Sequence, residues 1–114
     1  MRQLENEIEK KLVDQVKKIG GQAFKFISPN HAGIPDRLVI LPGNKIGFAE
    51  IKRPGGKTRR LQDKQIAFLK SLGCMVWVID NEEKIDKFIK KLQGGTQTIE
   101  RDIQTIWLSK ILHQ

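Results

Sequence analysis

Apolar residues fall along this chain in alternating periods. Leu4, Ile8, Leu12, Val16 and Ile19 recur every three or four residues, so residues 3–19 read as an amphipathic helix that Gly20-Gly21 closes. Gln22 to Ile27 alternates and reads as a strand, followed by the loop Ser28-Pro29-Asn30-His31-Ala32-Gly33. Arg37 to Leu41 and Lys45 to Lys52 read as two strands joined by the turn Pro42-Gly43-Asn44. A Pro/Gly-rich basic loop runs from Arg53 to Thr58, and Arg59 to Leu72 has a helical pattern that Gly73 ends. Cys74 to Ile79 is a short buried strand, and 81–92 follows as a helix. After Gly94-Gly95, residues 97–112 form a last helical pattern whose apolar face is Ile99, Ile103, Ile106, Trp107 and Ile111. There is no internal repeat and no low-complexity tract. The order α-β-β-β-α-β-α-α predicts a mixed α/β fold around one central sheet. Residues 1–94 would be the core domain and 95–114 a C-terminal helical extension of it.

Composition narrows the class. A chain of 114 residues, 39% hydrophobic and 30% charged, fits one folded domain. No apolar run approaches the roughly 18 residues of a membrane span, and MRQLENEIEKK is too charged for a signal-peptide core. Cys74 is the sole cysteine, which excludes an internal disulfide and a cysteine-based zinc site. It is read as a small core residue, and the cytoplasm (the host's, for a viral protein) is the expected compartment. The 21 basic and 13 acidic residues leave a net charge of +8, with a pI near 9.8, which suggests a polyanionic partner. The cations are concentrated: residues 52–60 carry Lys52, Arg53, Lys57, Arg59 and Arg60 and no acid. A solvated face would interleave the signs, so this stretch points to nucleic acid.

The candidate chemistry begins with Glu-x-Lys. Three such triplets occur, at Glu9/Lys11, Glu50/Lys52 and Glu82/Lys84. On a helix, residues two apart diverge by roughly 200°; on a strand they share a face. Only Glu50-Ile51-Lys52 has a strand pattern, so only it can aim a carboxylate and an ammonium at one place. If Pro42-Gly43-Asn44 is a three-residue loop, Leu41 faces Lys45 and Asp36 lies opposite Glu50, with Cβ atoms about 5 Å apart. A loop of two or four residues would break this arrangement. Carboxylates that close repel unless a cation lies between them, and a hard divalent ion with oxygen ligands meets that need.

Other residues are weaker candidates. Glu5 and Glu9 fall within the apolar stripe of the first helix, and either could be a third carboxylate. In the helix after the basic loop, Gln65 is spaced four residues from both Leu61 and Leu69 and is expected on the core side, while Gln62 flanks it near the N-terminus; either amide could meet a phosphate or a water. His31 could act as a general base but reads more simply as a polar loop residue. His113, near the C-terminus, carries no assigned role. Trp77 reads as core, and Trp107 as a packing residue on the domain or at a dimer contact.

These residues resemble a known family. Gly33-Ile34-Pro35-Asp36-Arg37 followed by Glu50-Ile51-Lys52 is similar to the Pro-Asp…Glu-x-Lys signature of the PD-(D/E)xK nuclease superfamily. With Ser28-Pro29, the Glu-x-Lys-x-Pro-Gly-Gly-Lys run and Leu61-Gln62 ahead of a helix and Gly73, the string resembles the virus-type replication-repair nuclease (VRR-NUC) domain over roughly residues 4 to 92. The resemblance implies a restriction-endonuclease-like α-β-β-β-α-β-α core with a central mixed sheet. It implies a metal-dependent, structure-selective DNA endonuclease. Asp36, Glu50 and the backbone carbonyl of Ile51 would bind Mg²⁺ or Mn²⁺, and Lys52 would orient or activate the attacking water. Glu9 matches the family's helix glutamate, as a metal and catalytic residue, and Gln62 matches its glutamine. Arg37, Arg53, Lys57, Arg59, Arg60 and Lys64 would contact DNA. Stand-alone members resemble junction resolvases that cut four-way (Holliday) junctions as homodimers, whereas domains fused to longer proteins act on flaps. The competing readings are a basic nucleic-acid-binding module without chemistry and a homodimeric scaffold using the Trp107 helix.

Overall fold

The computed structural model describes residues 2–94, and the side chains of 4–94. The helical pattern at 97–112, with Trp107 and His113, lies outside the described residues. Helix α1 (Arg2–Lys18) leads into β1 (Gln22–Lys25), β2 (Arg37–Leu41) and β3 (Lys45–Ile51). Then come α2 (Arg60–Ser71), β4 (Met75–Ile79) and a third helix, α3, over 82–94. The sheet order is β1-β2-β3-β4. The first two pairings are antiparallel and β3-β4 is parallel, so the sheet is mixed as expected.

The hairpin between β2 and β3 sets everything downstream. Gly43 and Asn44 both have positive φ, 85° and 62°, the left-handed conformation that these two residue types tolerate best. The loop therefore closes in three residues, Leu41 pairs with Lys45, and the register runs on to Arg37 opposite Ala49. β1 is shorter than its pattern suggests. Beyond Lys25 the ladder stops, although the Phe26 N–H still donates to the Asp36 carbonyl at 2.8 Å.

The two faces of the sheet are filled differently. Ile8, Leu12 and Val16 of α1 and Ile85, Phe88, Ile89 and Leu92 of α3 form one core with Val39, Leu41, Ala49, Ile51 and Ile79 of the sheet. Trp77 packs against it, its ring 6.0 Å from that of Phe88. Residues of β3 alternate, so Ala49 and Ile51 enter this core while Phe48 and Glu50 point to the opposite face. There α2 packs on β4 through the buried Ile66 and Val76.

Candidate active site

Glu50 is the anomaly of this second face. It is 2% exposed, and its Oε2 is buried with no hydrogen-bond partner. Its other oxygen faces the Gln62 amide nitrogen at 3.4 Å. An isolated carboxylate rarely survives such burial in its charged form, and the Glu50 pKa is raised from 4.5 to about 8. Burial is the largest cause; the Asp36 carboxyl beside it is the next, Lys52 pulls the other way, and Glu5 adds a smaller push upward.

Asp36 sits one residue before β2, where continuing the ladder places it opposite Glu50. Its Oδ2 accepts the Ile51 N–H at 2.8 Å, which pins the carboxylate at the end of β3. Lys52 follows on the Glu50 side of the strand, its own N–H bonded to the Ile79 carbonyl at 2.9 Å. Asp36, Glu50 and Lys52 thus lie together at one end of one sheet face.

Gln62 closes the site from α2. Its Oε1 accepts the Arg59 backbone N–H at 2.8 Å, which leaves its NH₂ directed at Glu50. That bond joins the residue at the N-cap to the third residue of the helix, the spacing of a capping box. The structure therefore brings Gln62, rather than Gln65, to the acidic pair. Arginine is not a capping residue by type, so nothing at Arg59 announced this. Gly33 sets the height of α2: it has φ +84°, and a Cβ there would lie 2.8 Å from the Leu61 carbonyl oxygen. Gly33→Ala is expected to cost about 1–3 kcal/mol and to push Gln62 away from Glu50; a thermal melt and a cleavage assay would read both.

The other expected site residues have partners or surroundings of their own. Glu9 is bonded to Arg37: its Oε2 accepts from Arg37 Nε at 3.0 Å, and Arg37 Nη1 also reaches the Ala23 carbonyl at 3.1 Å. Arg37 pairs with Ala49 in the ladder and so belongs to the α1 face. Glu5 is the α1 carboxylate whose charge registers at Glu50. Lys57, Arg59, Arg60 and Lys64 are exposed around the loop and first turn of α2, and Arg53 is half-buried. The His31 ring lies in the exposed loop, its Nδ1 3.0 Å from Ser28 Oγ.

A divalent cation fits this arrangement. Among the described residues no cluster of three or more His, Cys, Asp or Glu groups forms a ready metal cage. Mg²⁺, however, is commonly held by one or two carboxylates with its remaining positions filled by water and substrate phosphate. The unpartnered Oε2 of Glu50 beside Asp36 supplies that donor set.

A carboxylate just ahead of one strand, a second in the antiparallel neighbour and a lysine two residues on form the arrangement that the sequence likened to the PD-(D/E)xK signature. No family model matches the chain. A curated relative, "Putative nuclease p44" of Acyrthosiphon pisum secondary endosymbiont phage 1, is 51% identical over 79 residues, which is 69% of this chain and 85% of that protein. A solved structure described as "VRR_NUC domain" superimposes with a TM-score of 0.71 at 29% identity, over 75% of this chain and 94% of the other. The chain belongs to the VRR-NUC family of nucleases.

Proposed function

We propose that this protein is a divalent-cation-dependent, structure-selective DNA endonuclease that hydrolyses phosphodiester bonds and resolves four-way junctions as a homodimer. The observation that carries the reading is the buried, unpartnered Glu50 Oε2 beside Asp36, with Lys52 on the same strand face. Asp36, Glu50 and the Ile51 carbonyl would hold Mg²⁺ or Mn²⁺. Such an ion, when bound, polarises the phosphate and lowers the pKa of water. The chain's own groups do the rest. Lys52 places a fixed positive charge where the reacting phosphate gains negative charge, and orients the attacking water. Gln62 holds the Glu50 carboxylate in one orientation, and Glu9 fixes Arg37 behind the sheet. Glu5 is the α1 carboxylate whose charge is felt at Glu50.

Arg53, Lys57, Arg59, Arg60 and Lys64 would grip the sugar-phosphate backbone. Such contacts are blind to base identity, so selectivity would come from DNA shape. Each phosphate contact removed, as in Arg60→Ala, is expected to reduce the log-log salt slope of binding by about 0.9. The reading is tested by offering the full-length protein labelled four-way junction, flap and plain duplex in Mg²⁺. Preferential junction cutting supports it. Cutting of flaps alone keeps the chemistry and removes the resolvase assignment.

A further inference from the structure

The basic loop after β3 is held from outside itself. Arg53-Pro54-Gly55-Gly56 closes as a β-turn, with the Gly56 N–H donating to the Arg53 carbonyl at 2.8 Å. Proline at the second position and a φ of 73° at Gly55, the third, are the marks of type II. A Cβ on Gly56 would lie 3.0 Å from the Arg53 carbonyl oxygen and 3.4 Å from Lys52 Cβ, so the turn folds back against the stem of Lys52. The closing bond leaves the Gly55 N–H to the rest of the molecule. It donates to the carboxylate of Asp80, the residue after β4. Strand pairing brings Asp80 there. β4 runs parallel to β3 as far as Ile51 beside Ile79, and the Lys52 N–H then bonds the Ile79 carbonyl at 2.9 Å. The next residue of the chain therefore meets the turn that begins at Arg53. Asp80 Oδ1 also accepts from Lys84 Nζ at 2.9 Å and from the Asn81 amide nitrogen at 3.2 Å. Chiefly through the Lys84 bond, its pKa is held below the ordinary carboxylate value, so the group is charged at neutral pH. Lys84 belongs to the third Glu-x-Lys triplet, which has no place at the acidic pair.

We propose that Asp80 is a positioning residue for DNA binding: it pins the Gly55 turn, so that the cations of residues 53–60 meet the sugar-phosphate backbone from a loop already in place. The inference rests on the reading above that this loop contacts DNA. A loop rich in glycine loses conformational freedom when it binds, and an anchor present beforehand removes that cost from the binding step. A bare carboxylate next to a phosphate-binding loop would repel DNA. The Lys84 ammonium offsets that charge, which gives the third triplet's lysine a task. Lys52 does not depend on Asp80, because the Ile79 carbonyl already fixes its backbone. Asp80 therefore acts on affinity and leaves the chemistry at the acidic pair alone.

Full-length wild type, Asp80→Asn and Asp80→Ala test this, with Asp80→Ser in place of the alanine variant should that one not fold. Three quantities are compared: amide hydrogen exchange at Gly55, affinity for a labelled four-way junction, and turnover at saturating junction in Mg²⁺. Asparagine keeps an oxygen for the Gly55 N–H; alanine has none, and serine is too short to reach. In the alanine or serine variant, Gly55 should exchange at least about tenfold faster and the dissociation constant should rise about tenfold. Saturating turnover should stay within about threefold of wild type. Asp80→Asn should stay near wild type in all three. Unchanged Gly55 exchange in a folded alanine variant would overturn the anchor. Faster exchange with unchanged affinity would overturn its role in binding, and so would an asparagine variant that binds as weakly as alanine, which would assign the effect to charge. An affinity unmoved by Lys57→Ala and Arg59→Ala would instead overturn the loop's contact with DNA, on which the proposal rests. Gly55 exchange, read without DNA, tells the two failures apart.

Discussion

Glu50→Gln is expected to abolish cleavage, by about a thousandfold or more, and to make the metal-free protein more stable. The two effects have one cause. Glutamine keeps the shape and the Gln62 contact, and its NH₂ can donate to Asp36, but the buried negative charge is gone. In the wild type the folded-state pKa of about 8 lies above the 4.5 of an unperturbed glutamate. Glu50 therefore contributes its full stability below about pH 4.5, and loses it as pH rises through the folded value. Thermal melts in EDTA should fall across that window for wild type, by a few kcal/mol of unfolding free energy, and stay flatter for Glu50→Gln. Added Mg²⁺ or Mn²⁺ should raise the wild-type melting temperature at neutral pH and leave the variant unmoved. A variant that is both active and less stable would mean that the carboxylate is structural.

Lys52→Ala is the complementary expectation: cutting falls by about a thousandfold, while junction affinity changes only by the worth of one phosphate contact. Lys52 already lowers the Glu50 pKa in the resting protein, so its ammonium acts at the pair. It follows Glu50 on the same strand face, where a scissile phosphate would meet both. Removing it should leave Glu50 still harder to ionise, so the variant should need more metal for any residual activity. Arg59→Ala and Arg60→Ala should do the reverse, weakening binding and flattening its salt dependence with less effect on bound turnover. A Lys52→Ala protein that cuts normally once bound would remove the lysine from the chemistry.

The geometry of the candidate site was legible wherever short-range rules decide it. Gly43 and Asn44 are the residue types that accept positive φ, so the three-residue loop follows from the turn, and the Asp36–Glu50 opposition follows from the loop. The strand pattern of Gly47 to Ile51 singled out one Glu-x-Lys of three. What failed was helix-face counting. Taking Leu61 and Leu69 as one core stripe favoured Gln65, but Leu61 is 48% exposed and the buried side runs through Gln62 and Ile66. An apolar flank not turned to its own core misleads any such count. The choice between Glu5 and Glu9 was closed to periodicity, since both lie in one stripe. The Glu9–Arg37 bond involves a long side chain from another element, a pairing that no local pattern encodes.

The most direct test of a catalytic acidic pair is cleavage of a labelled four-way junction by the wild-type protein in Mg²⁺, in Mn²⁺ and in EDTA, with binding measured in parallel. Cutting is expected in at least one of the two metals and not in EDTA, with binding in all three. Binding without cutting in either metal would contradict it and leave a basic DNA-binding module in which Asp36 and Glu50 are structural.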